Sequence, residues 1–214
     1  MRKQERIQIV LDEINHLFPD AQCELVHKNP YELIVAVALS AQTTDVSVNK
    51  ITPSLFAKYP TPYDLANAPL EDIEQAIKQI GLYRNKAKNI KMLACQLVEK
   101  FNGEVPSKRK DLESLSGVGR KTANVVMSVA FDYPALAVDT HVERISKRLK
   151  LAKKDDSVLQ VEKKLCQIIP RSQWNKTHHQ FIFFGRYFCK ATNPNCKECK
   201  LFDLCVDEIK YKKR

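Results

Sequence analysis

Glycine is scarce in this chain, with five residues in 214, and tryptophan occurs once. With 44% hydrophobic and 28% charged residues, that scarcity argues against disorder and suits a packed globular protein of one or two domains. No apolar run approaches the ~20 residues that a membrane-spanning helix needs. The N-terminus, MRKQERIQIVLDEINHLF, lacks the apolar core and small-residue cleavage site of a secretory signal and reads as an amphipathic helix. An intracellular, cytoplasmic protein is expected.

Acidic residues are outnumbered, 25 against 35 basic ones, which leaves a formal charge of +10. Such an excess favours a polyanionic partner, because released counterions drive association. A solvated basic surface without such a partner is the plainer alternative.

Strand patterns are missing too. Ile7, Val10, Leu11, Ile14 and Leu17 fall at three- and four-residue steps. Asn29-Pro30 followed by Glu32 reads as a helix cap, and Leu33 to Leu39 as a buried helix. Thr61-Pro62 and Ala68-Pro69 open two more helices, and Gly81 is expected to close the second in the left-handed conformation. Ala87, Ile90, Leu93 and Leu97 mark another helix, closed near Gly103. Further helices fit 120–130, 141–149, 157–169 and 173–188. Short connections predict an all-α protein, with a crossing between two lobes near Asp132-Tyr133-Pro134.

Two of the rare glycines sit together in LSGVGRKTANVV, residues 115–126. Leu112 and Leu115 suggest a short helix before them, and Ala123 and Val126 a helix after, which makes a helix–hairpin–helix. Gly117, Val118, Gly119 and Arg120 would then offer backbone amides and a helix N-terminus to one phosphate of a nucleic-acid backbone. The plainer reading is an ordinary tight turn.

Lys121 follows in the first turn. Near a helix N-terminus and partly desolvated, a lysine is pushed toward its neutral, nucleophilic form and could make a Schiff base. A phosphate-binding lysine accounts for the motif equally well. Asp139, a lone carboxylate in PALAVDTHV, could cap the next helix or act beside Lys121.

Cys23, Cys95 and Cys166 read as buried reduced thiols. Cys189, Cys196, Cys199 and Cys205 lie within CKATNPNCKECKLFDLC, which indicates a metal centre. With a single C-x-x-C pair, iron–sulfur ligation fits better than a zinc ribbon. Adjacent His178 and His179 should point apart on a helix and serve structure.

Taken together, these stretches resemble the endonuclease III family of base-excision DNA glycosylases. The likeness covers nearly the whole chain and includes LSAQTTDVSVNK (39–50), GLYRNKAKNI (81–90), LSGVGRKTANVV (115–126), AVDTHVERISKRL (137–149) and the cysteine ending. The hairpin departs from the family's usual LPGVGRK, because Ser116 stands at the proline position and is expected to loosen the turn slightly. The resemblance implies two helical lobes flanking a DNA-binding cleft. One is a bundle over 22–133; the other combines 1–21 with 134–214 and holds a [4Fe-4S] cluster on Cys189, Cys196, Cys199 and Cys205.

The resemblance also implies excision of an oxidised pyrimidine flipped out of double-stranded DNA. Lys121 would attack C1′ and carry a Schiff base, Asp139 would assist, and β-elimination would nick the strand on the 3′ side. Gln42 and Leu82 look like side chains that fill the hole left by the flipped nucleotide; without the resemblance, Leu82 would be a loop leucine tucked into the core and Gln42 a surface or capping residue. A monomer is expected. Two other readings are disfavoured. Adenine-specific mismatch glycosylases lack the lysine and carry an added C-terminal recognition domain. A non-catalytic redox-sensing DNA-binding protein would not need Lys121 paired with Asp139.

Overall fold

The structure, a computed structural model, describes residues 1–212, and no strand occurs among them. Of the basic tail Lys210, Lys212, Lys213 and Arg214, the last two lie outside the described residues. Helix α1 (Lys3–Leu17) buries Ile7, Val10, Leu11 and Ile14. Helix α2 (Pro30–Leu39) begins where Asn29 accepts the Glu32 amide at 2.9 Å. Pro30 takes the first position, where no N–H is needed, and Leu33 to Leu39 are buried on every side, as a core helix must be. Helix α3 (Asp45–Lys58) is capped by Thr44 and contains Pro53, and α4 (Pro62–Asn67) opens on a reciprocal Thr61–Asp64 capping box. Then follow α5 (Leu70–Ile77), α6 (Tyr83–Phe101), α7 (Arg109–Glu113), α8 (Arg120–Ala130), α9 (Thr140–Arg148), α10 (Val158–Ile168), α11 (Trp174–Phe183) and α12 (Ile209–Lys212). No helix among the described residues is long and apolar enough to cross a membrane.

The chain forms two compact units, Cys23–Tyr133 and Met1–Gln22 with Pro134–Arg214. In the first, α2 packs against α3, α6 and α8, while α6 also packs against α4 and α5. In the second, Val10 and Ile14 of α1, Val142 and Ile145 of α9, Val161 and Leu165 of α10, and Phe181 of α11 share one core. Gly185, in the π-helical turn that continues α11, lies so close to α9 that a Cβ would come within 2.8 Å of the His141 Cβ. That approach fixes the helix running from Asp139 to Arg148.

Three local expectations are corrected. Gly81 is not left-handed; that conformation falls on Leu82 instead, at φ 59°. Cys23, Cys95 and Cys166 are half-buried rather than buried; Cys166 packs against the core of the second unit, and Cys95 meets the Ala66 carbonyl. His178 and His179 do not point apart. Their rings tilt together with centroids 4.8 Å apart, since a 100° step around a helix still lets two rings fold toward each other.

Candidate active site and cysteine loop

The hairpin between α7 and α8 assigns its two glycines different work. Gly117 has φ +76°, a conformation that L side chains rarely adopt, and packs on Asn89 of α6. Gly119 has an extended backbone, and a Cβ there would meet nothing within 4 Å. The folded chain itself therefore gives no reason for a glycine at 119; what its absent side chain leaves is open approach to the start of α8. As the N-cap it supplies no side-chain acceptor to the first-turn amides. The Val118 side chain is buried, so this residue offers main chain only, while Arg120 and Lys121 are exposed.

Ser116, at the family's proline position, is tied to α6. Its amide donates to Gln96 Oε1 of α6 at 2.7 Å, a bond that a proline, lacking N–H, cannot make. Arg109 of α7 donates to Asn124 of α8, which ties the two hairpin helices together.

Lys121 occupies the first turn of α8 in one unit. Its side chain is exposed, so the desolvation expected for it is not supplied by its own helix and hairpin. Asp139 belongs to the other unit, where its Oδ1 accepts the Val142 amide at 2.8 Å and caps α9. The extended segment leading to it is pinned by α11. Asn175 accepts the Ala135 amide at 3.1 Å, and the His178 ring bonds the Ala137 carbonyl at 2.8 Å.

Gln42 and Leu82 share an uncommon feature. Both are left-handed non-glycine residues, at φ 54° and 59°, and both side chains are exposed, Leu82 at 57%. Leu82 is thus not tucked into the core. That backbone costs about 1–2 kcal/mol for an L-residue and persists where surrounding structure enforces it.

Cys189, Cys196, Cys199 and Cys205 line a single cavity with Leu149, Phe184 and Phe202. Burial pushes the Cys189 and Cys196 thiols up, and the Cys199 thiol up to about 11. Thiols in such surroundings ionise when a cation compensates them, as iron does. Among the described residues no three His, Cys, Asp or Glu groups gather in the manner of a single-ion site.

Two arginines of α9 organise this loop, and sequence reasoning did not single them out. Arg148, 6% exposed, donates to Cys189 Sγ at 3.3 Å, to the carbonyls of Lys190 at 2.8 Å and Ala191 at 3.0 Å, and to Asp207 at 2.7 Å. Arg144 donates to the Gly185 carbonyl at 2.7 Å and the Cys189 carbonyl at 3.2 Å. An arginine one turn after another, four residues apart on a helix, was the available signal. Lys86, buried on α6, was also missed.

Comparison with known proteins accords with this geometry. Residues 35–171 match the HhH-GPD superfamily base excision DNA repair protein family. Endonuclease III of Bacillus subtilis (strain 168) is 57% identical over 210 residues, covering 98% of this chain and 96% of that protein. A trapped endonuclease III–DNA covalent intermediate superposes with TM-score 0.96 at 59% identity, over 100% of both chains. A non-covalent endonuclease III–DNA complex gives TM-score 0.96 at 57% identity, again over 100% of each. With its helix–hairpin–helix, its lysine at the head of α8 and this likeness along nearly its entire length, the chain belongs to the endonuclease III family of the HhH-GPD base-excision repair proteins.

Proposed function

We infer that this protein is a bifunctional DNA glycosylase and abasic-site lyase that removes oxidised pyrimidines from duplex DNA. The observation that carries this reading is the near-complete likeness to an endonuclease III held covalently to DNA, joined to a lysine at the start of α8 directly after the hairpin. Gly117 to Arg120 hold a backbone phosphate at the open N-terminus of α8. Gln42 and Leu82 enter the space left by the flipped nucleotide, and that wedge offsets part of an unstacking cost of about a few kcal/mol.

The Lys121 amine attacks C1′ of the damaged nucleotide. The C1′–N bond breaks, the base leaves with a proton, and the sugar opens to a Schiff base on Lys121. Loss of a C2′ proton then expels the 3′ phosphate by β-elimination, and water releases the lysine. Lys121 is exposed in the protein alone, so its amine is open to the sugar of a bound duplex. Asp139 is the carboxylate that assists base loss.

Cys189, Cys196, Cys199 and Cys205 would hold a [4Fe-4S] cluster, which would cross-link the C-terminal loop; the reaction itself needs no electron transfer. Arg148 orients Cys189 within that loop.

Incision of duplexes carrying defined lesions tests the reading. A strand opposite an undamaged complement should be nicked 3′ to an oxidised pyrimidine, and borohydride should convert the nick into a covalent protein–DNA complex. Base release with no strand nick would make the enzyme monofunctional.

A further inference from the structure

Lys86 lies in the first turn of α6, and its amide donates to the Leu82 carbonyl at 3.0 Å. Its side chain is 5% exposed, although it ends in an amine. A buried cation is costly unless something holds it. Burial pushes this amine below the ordinary lysine range. Among the described residues, its hydrogen-bond partner is the Thr43 hydroxyl. Thr43 directly follows Gln42, and its own amide closes the turn on the Ser40 carbonyl at 3.0 Å.

Two exposed side chains on left-handed backbones, far apart in sequence, are thus joined by one residue. Lys86 holds Leu82 through its backbone and the neighbour of Gln42 through its side chain. Strained conformations persist where their surroundings over-determine them, and a buried ammonium–hydroxyl bond is such a constraint. The same helix fixes the hairpin as well, through Asn89 against Gly117 and Gln96 against the Ser116 amide.

We propose that Lys86 is a positioning residue that keeps the Gln42 turn in register with Leu82, so that both side chains enter the duplex together. This rests on the reading of Gln42 and Leu82 as the residues that fill the hole. A lysine that merely stabilised the fold would affect every substrate alike. A lysine that sets the wedge affects only substrates with a base stack to open.

The experiment compares single-turnover incision at an abasic site in a duplex and in a single strand, using the full-length iron-loaded protein. Lys86→Met and Thr43→Val should each lower the duplex-to-single-strand rate ratio about tenfold, the size expected for one charged hydrogen bond. The double variant should be no worse than either single one, because both remove the same bond. An unchanged ratio, or equal loss on both substrates, overturns the proposal. Thr43→Val keeps the side-chain volume and carries the test if Lys86→Met does not fold. Gln42→Ala and Leu82→Ala serve as the reference. If they leave the ratio unchanged, the hole-filling reading itself fails. If they lower it and the Lys86 and Thr43 variants do not, only the role of Lys86 fails.

Discussion

The amide of Val142 donates to the Asp139 carboxylate at 2.8 Å, so the acid proposed to assist base loss is also the cap of α9. The two duties separate by substitution. Asparagine caps a helix as well as aspartate does but carries no charge. Asp139→Asn should therefore keep the unfolding free energy and lose most of the turnover. Asp139→Ala should lose the turnover and also about 1 kcal/mol of stability. Urea unfolding and single-turnover kinetics on both variants check this, and full turnover in Asp139→Asn would reduce the residue to a cap.

Leu82 offers a trade between stability and action. It is left-handed at φ 59° and exposed, where glycine would sit without strain. Leu82→Gly should raise stability by up to about 1 kcal/mol while duplex incision falls. Thermal unfolding beside incision assays reads both. A glycine variant that is less stable would mean that the leucine side chain packs more than it strains.

Arg148 binds the loop that carries the cysteines. Replacing it with methionine leaves the Lys190 and Ala191 carbonyls without their donor and removes the contact to Cys189. Arg148→Met should cost about 3 kcal/mol of stability and lower the iron retained per protein after purification. Iron assay and unfolding midpoint measure the two effects. Normal iron content would show that the cysteines hold the loop without it.

Helix positions were legible where apolar periodicity and capping chemistry coincided. Asn29 before Pro30, Thr61 before Pro62, and the stripe from Ala87 to Leu97 each carry two agreeing local signals. Helix α3 is absent from the helices expected from the sequence, and Pro53 lies inside it. The left-handed Leu82 was illegible for a related reason: Gly81 sits beside it and is the residue that local preference would choose. At the hairpin, sequence named the glycines but not their anchors. Gln96 and Asn89 meet Ser116 and Gly117 only through the packing of α6, a contact without a local pattern.

Acid should weaken the fold through His179. Burial pushes this ring down to about 4, against about 6.5 in the unfolded chain. A depressed value means that the contribution is intact above pH 6.5 and is lost as pH falls toward 4, because only the unfolded state takes up the proton. The loss approaches about 3 kcal/mol. Urea midpoints at pH 7.5 and 4.5 should differ less in His179→Gln than in the parent protein. An equal drop in both would place the sensitivity elsewhere.

The central claim is that one amine, Lys121, bonds covalently to deoxyribose. The most direct measurement is to reduce the complex with borohydride on abasic duplex DNA, digest it with protease and nuclease, and locate the sugar adduct by mass spectrometry. The account predicts the adduct on the peptide containing Lys121 and no trapped complex from Lys121→Ala. An adduct on another lysine or on the N-terminal amine, with trapping undiminished in Lys121→Ala, would contradict it.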